Sequence, residues 1–200
     1  MKKALGIIAI LVFTFTQSKS QDKPNSLNKG EQVSVSDHLI KIETGLPSLV
    51  GLSYEKKLNQ NISLYNSISL LGAFGGGSFS RTFYGVDNYY LLTPQIKMQP
   101  RLYHNLGMRA IKGKNVNFNA ANYLGLSASF YHTSFFLTNA QAFPQGPAVL
   151  DVQLAYGIQR IFFKKFNIDL AFEPGLEFTQ GEIGAFIGLN LQLGVVVFSN

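Results

Sequence analysis

The sequence predicts an all-β chain, an eight-stranded antiparallel transmembrane β-barrel, from three observations. Apolar and polar residues alternate with period two along almost the whole chain after residue 37, which is the strand signature. The polar parity is rich in Gly, Ala and Ser, and charged residues make up only 14% of the chain, against about 25% in soluble proteins. The N-terminus has the three-part layout of an export signal. A soluble β-sandwich would also alternate, but its polar face meets water and would carry many long charged side chains. Small residues with a few charges of both signs suit the inside of a narrow closed barrel, whose apolar face is turned to lipid.

Residues 1–20, MKKALGIIAILVFTFTQSKS, place two lysines before an apolar run from Ala4 to Phe15. That run is too short to span a bilayer, which takes about 20 apolar residues. Ser18 and Ser20 supply small residues for cleavage before Gln21. We expect a signal peptide at 1–20, export, and residence in the bacterial outer membrane. Cleavage removes Lys2, Lys3 and Lys19 and takes the net charge from +6 to +3, too mild and scattered for a nucleic-acid partner. The chain has no cysteine, which excludes disulfides, cysteine-based zinc sites, a thiol nucleophile and lipoprotein acylation.

Residues 21–36 are polar, lack apolar periodicity and read as a flexible lead-in to a barrel at 37–198. Eight strands are predicted near 38–45, 48–57, 61–74, 90–101, 121–132, 148–159, 167–178 and 183–198. The last, IGAFIGLNLQLGVVVF, sets Ile183, Ala185, Ile187, Leu189, Leu191, Leu193, Val195 and Val197 against Gly184, Phe186, Gly188, Asn190, Gln192 and Gly194. Ten residues span roughly 33 Å, so a tilt near 40° matches an apolar band about 25 Å tall. Pro94, Pro100 and Pro174 remove ladder donors and are predicted to mark bulges or strand ends. With both termini periplasmic, residues 57–60, 102–119 and 160–166 lie inside. Segments 75–89 and 133–147 are then extracellular loops, with a tight outer turn at Gln180–Gly181. This depends on Gly45–Pro47 being a turn; a bulge there gives seven strands and reverses the orientation.

The same parity sends Lys41, Glu43, Glu55, Lys97, Arg101, Asp151, Asp169, Glu173 and Glu177 into the lumen as a charge network. An eight-stranded interior is just wide enough to be filled by side chains or to hold one small ligand, and buried charges there must pair. Tyr89, Tyr90, Phe135 and Phe136 cluster at the outer end and Tyr54, Tyr103, Phe162, Phe163 and Phe198 at the inner end, like interfacial girdles. Arg101, Arg109, Lys112, Lys114, Arg160, Lys164 and Lys165 fall near the inner turns, as solvated turn residues or as contacts to anionic headgroups.

No two of His38, His104 and His132 have a metal-ligand spacing, so no metal or cofactor is expected. His132 and Ser134 share the lipid-facing parity at the outer end of their strand. A His-x-Ser pair there resembles the lipid A deacylases, whose imidazole activates a serine against an acyl ester. That family continues with Asn-Ala directly after the serine; here Phe135–Phe136 follow, and no acidic partner is evident.

The stretches HLIKIETGLPSLVGLSYEKKLNQNISL and PRLYHNLGMRAIKGKNVNFNAANYLGLSASF resemble segments of small Gram-negative outer-membrane barrels of the OmpA/OmpX and OmpW types. The resemblance implies outer-membrane lipid, including lipopolysaccharide, and the outer-membrane assembly machinery as partners, with Phe198 the nearest substitute for a terminal aromatic. A monomer is expected. The functional expectation is a filled polar lumen with a structural or surface-interaction role through the outer loops, not catalysis. The alternatives are a narrow channel or carrier for small solutes, and a deacylase-like hydrolase using His132 and Ser134.

Overall fold

A computed structural model describes residues 33–132, 137–140 and 146–200. In chain order the strands are β1 (His38–Leu46), β2 (Ser48–Asn59), β3 (Ile62–Gly76), β4 (Asn88–Tyr103), β5 (Asn122–His132), the two-residue β6 (Leu137–Thr138), β7 (Ala148–Phe162), β8 (Phe166–Thr179) and β9 (Glu182–Ser199). Helix α1 (Ser78–Tyr84) lies between β3 and β4, and α2 (Leu106–Ile111) lies between β4 and β5. All pairings are antiparallel. The order runs β3-β2-β1-β9-β8-β7-β5-β4, and β4 pairs back onto β3, so eight strands close into a ring. Over the stretch where all eight strands overlap, closure gives each strand a partner on both sides, which is what a sheet needs to cross hydrocarbon.

The β1–β2 connection is a turn. His38 faces Lys56 and Glu43 faces Gly51, and the hairpin folds about Pro47. This settles the strand number at eight, with both ends of the barrel wall at one rim. Gly45 is needed beside this corner, because a Cβ there would collide with the Leu191 carbonyl oxygen. The prolines depart from the expectation. Pro94 faces Leu70, Pro100 faces Leu64 and Pro174 faces Ile187, each mid-strand with the register continuous through it. Each missing N–H removes one ladder bond without shifting the pairing, because neighbouring bonds on both sides hold the alignment.

Alternation decides which surface meets which medium. Ile68, Ile96, Leu154, Leu170, Ile187 and Leu189 project outward and are exposed, whereas Ser53, Ser63, Gln99, Ser127, Gln159 and Asn167 point inward and are buried. This inverts a soluble protein, and the exposed apolar surface forms a belt around the ring, the arrangement of a membrane-spanning barrel. The inner edge of the belt carries amphipathic side chains. The His38 and Tyr54 rings stack at 6.0 Å, with Nδ1 of His38 2.7 Å from the Tyr54 hydroxyl. Arg160 donates to Asn122 at 2.7 Å, and Asn122 donates to the Tyr156 hydroxyl at 2.9 Å. Tyr103 does not belong to this girdle. It continues the inward parity of Gln99 and Arg101 and is buried in the lumen.

Candidate functional site

The lumen is built by β4, whose inward residues Tyr103, Arg101, Gln99, Lys97, Gln95 and Thr93 climb from the inner to the outer end. At the innermost level Glu55 gathers neutral donors. Tyr103 donates to its Oε1 at 2.7 Å, Asn119 Nδ2 donates to it at 2.8 Å, and the Ser63 hydroxyl completes the set. Asn119 comes from the segment between α2 and β5, which folds back across the inner mouth. Its Oδ1 accepts from the Ser36 N–H at 2.8 Å, and Gln159 Nε2 donates to the Phe118 carbonyl at 2.8 Å. Phe118 and Asn119 adopt φ of 52° and 64°. Left-handed backbone is tolerated by asparagine and costly for phenylalanine, so the hydrogen bonds to their polar atoms hold the corner in place. Val35, Ala120 and Ala121 are buried beside it. The end of the polar lead-in thus packs against the barrel, with the Val35 N–H donating to the Gln60 carbonyl at 2.9 Å.

One level outward, Arg101 is 2% exposed and sits between two aromatic faces. Its guanidinium carbon lies 3.9 Å from the Tyr65 ring centre and 4.2 Å from that of Tyr123. Nη1 donates to Asp169 Oδ2 at 3.0 Å and to Gln159 at 3.2 Å, and Nε donates to Gln99 at 2.7 Å. Tyr123 donates to the other Asp169 oxygen at 3.0 Å. The planar fork and two ring faces together satisfy a cation that would be very costly to bury alone. On the opposite wall Lys41 pairs with Glu43 at 2.9 Å, and Tyr65 donates to Glu43 at 2.7 Å. Further out, Lys97 pairs with Glu173 at 2.6 Å. Gly157 faces Tyr123 across the β5–β7 ladder, and a Cβ there would overlap the Tyr123 ring. Gly157→Leu is therefore expected to displace the Tyr123–Asp169 hydrogen bond and destabilise the barrel by about 1–3 kcal/mol, read as a lower urea midpoint in lipid vesicles.

Above Lys97 the filling thins, although Gln95 and Thr93 on β4 stay buried. A cavity of about 230 Å³ occupies the outer part of the lumen, bordered by Lys97, Ser129, Tyr131, Asp151, Glu173 and Glu177 and, on another side, by Pro47, Leu71, Phe186, Leu189 and Asn190. Asp151 and Glu177 face each other across the β7–β8 ladder. The site is a cup, packed with paired side chains at its inner end and hollow towards the outer rim.

The nine charged residues assigned to the lumen by parity all line its interior: Lys41, Glu43, Glu55, Lys97, Arg101, Asp151, Asp169 and Glu173 are buried, and Glu177 is half-buried at the cavity. Three ion pairs form among them, Lys41–Glu43, Lys97–Glu173 and Arg101–Asp169. Charge alone missed Tyr65, Gln99, Tyr123 and Gln159, which the same parity places inward, and Asn119, which lies outside any strand. The basic residues near the inner turns differ in their surroundings. Arg109 donates to the Asn115 carbonyl at 3.0 Å and is held below the usual guanidinium range by burial and by Arg160, while Lys112, Lys114, Lys164 and Lys165 are exposed. His132 is half-buried at the end of β5; Ser134, Phe135 and Phe136 lie outside the described residues. No group of three or more His, Cys, Asp or Glu suited to a metal occurs among the described residues.

No family model matches the chain, and no curated protein matches it. Among solved structures, it is similar to Ail, the attachment invasion locus protein of Yersinia pestis, in complex with the heparin analogue sucrose octasulfate. The match has 10% identity, covers 80% of this chain and 92% of that chain, and has a TM-score of 0.31. A second structure of Ail matches at 11% identity over the same shares, with a TM-score of 0.26.

Proposed function

We propose that this chain is an outer-membrane barrel of a Gram-negative envelope, exported by cleavage of residues 1–20, that does not conduct solutes and acts at the cell surface through its outer segments 75–89 and 133–147. The observation that carries this reading is the way the two segments are fastened together. β6 pairs with β4 at Leu91 and Leu92. Asn139 then clamps the junction: its Oδ1 accepts from the Tyr90 N–H at 3.0 Å and its Nδ2 donates to the Asn88 carbonyl at 2.9 Å. The Thr138 hydroxyl donates to the Tyr90 carbonyl at 2.6 Å. Helix α1 caps the β3–β4 hairpin beside it, and Arg81 pairs with Asp87 across that loop. A rim organised by side-chain hydrogen bonds presents one composite surface, which suits recognition. The packed inner end supports the non-conducting part, because Arg101, Tyr65, Tyr103 and Tyr123 are bulky side chains almost fully buried in the lumen.

The test places the full chain and its Asn139→Ala variant on the surface of a Gram-negative host and measures cell adhesion to host-cell matrix. Adhesion above vector control that falls several-fold in the variant, at equal surface level, supports the proposal. Equal adhesion of all three strains overturns the surface role. Discrete single-channel openings of the purified protein in planar bilayers overturn the non-conducting part and favour the channel.

A further inference from the structure

The outer wall of the barrel is incomplete. The β1–β2 hairpin ends at Pro47, level with Leu191 of β9 and Leu71 of β3. Beyond that point β9 continues as Glu182–Asn190, paired with β8 on one side, and β3 continues to Gly76, paired with β4 on one side. The Gly72 N–H still reaches the Pro47 carbonyl at 3.1 Å; beyond it, among the described residues, no strand pairs with the facing edges. Three strand spacings separate β9 from β3 there, so the notch is roughly 14 Å wide. The outward residues flanking it, Ile183, Ile187 and Leu189, belong to the exposed apolar belt, which sets the notch against the outer leaflet.

The cavity reaches this notch. Leu189 points outward and is 71% exposed, yet it borders the cavity together with Pro47, Leu71 and Phe186. Its place at the border agrees with the end of the β1–β2 wall at Pro47. The opposite border is acidic. Lys97 is engaged by Glu173 at 2.6 Å, while among the described residues no cation is within ion-pair distance of Asp151 or Glu177. Asp151 is 7% exposed, and its Oδ1 has no hydrogen-bond partner; neither has Oδ1 of Asn190 on the notch side. Buried polar atoms in this state are unfavourable unless something donates to them.

We infer that the cup binds a single-chain amphiphile with a primary ammonium head, which enters laterally from the outer leaflet. The head donates to Asp151, Glu177 and Asn190, matching the three donors of an ammonium group. The chain passes over Pro47 between Leu71, Phe186 and Leu189 into lipid. A volume of about 230 Å³ is below the usual range for a whole drug-sized ligand, about 300–1,000 Å³, and suits a head group whose tail stays outside.

The test uses the full barrel in phosphatidylcholine nanodiscs, with empty nanodiscs as background, and titrates dodecylamine, dodecanoate and propylamine by calorimetry. Saturable one-to-one binding of dodecylamine, at least tenfold tighter than dodecanoate and propylamine, is expected. Asp151→Asn and Glu177→Gln, each checked for folding by heat-modifiable gel mobility, are each expected to weaken it at least tenfold. Equal affinity for dodecanoate removes the charge recognition, and equal affinity for propylamine reduces the site to a cation site without lateral entry. Non-saturable uptake matching empty discs, or wild-type affinity in both folded variants, overturns the proposal outright.

Discussion

Arg101→Met is expected to destabilise the barrel by about 3–5 kcal/mol, the range for removing one partner of a buried ion pair. Three things are lost together. Asp169 keeps its Tyr123 hydrogen bond but loses its cation, Gln99 and Gln159 each lose a donor, and the two tyrosine faces lose the charge between them. Arg101→Lys is expected to recover little, since an ammonium replaces the flat fork with a point charge and cannot fill the slot between the rings. The double variant Arg101→Met, Asp169→Leu removes both charges and is expected to recover most of the loss, because a paired charge and a well-packed apolar pair are close in free energy. Equilibrium urea unfolding in lipid vesicles reads all three. A loss below about 1 kcal/mol for Arg101→Met is what an exposed, weak pair gives, and would show that the lumen is wet at this level.

Leu154→Arg is expected to cost about 2–4 kcal/mol, the penalty for arginine on the lipid face at mid-membrane depth. Leu154 projects outward from the middle of β7 and is 65% exposed. At an exposed site of a water-soluble barrel the same change stays within about 0.5 kcal/mol. The two media therefore give clearly different answers at one position. Moving the arginine to Phe162, at the inner end of β7, is expected to reduce the penalty to about 0–1 kcal/mol. The same unfolding measurement checks the depth dependence, and equal small effects at both positions would place the belt in water.

Parity made most of this architecture legible. A regular strand's side chains alternate, so LDVQLAYGIQ already assigns Leu154 outward and Asp151 inward, and β7 extends that alternation to Phe162. The closing strand behaves likewise until Phe198, where the register against β1 shifts between Ile40 and Lys41 and returns Phe198 to the outside. What escaped the sequence has other causes. Asn119 reaches Glu55 from a loop whose path is set by left-handed backbone at Phe118 and Asn119, and no periodicity records that. Propensity describes one lost donor at Pro94, Pro100 and Pro174, while a ring of ladders holds register collectively. Residue type groups Tyr103 with the interfacial aromatics, whereas its parity matches Arg101. The notch over Pro47 arises from unequal hairpin heights, a comparison among strands distant in sequence.

The central claim is that one parity of every strand faces lipid and the other faces a packed polar interior. Because the chain has no cysteine, single cysteines can be placed along β7 from Gln153 to Ile158, labelled with an environment-sensitive fluorophore, and reconstituted into vesicles containing spin-labelled lipid. The account predicts strong quenching at Leu154, Tyr156 and Ile158 and weak quenching at Gln153, Ala155 and Gly157. Uniform quenching, or quenching on the opposite parity, would contradict it.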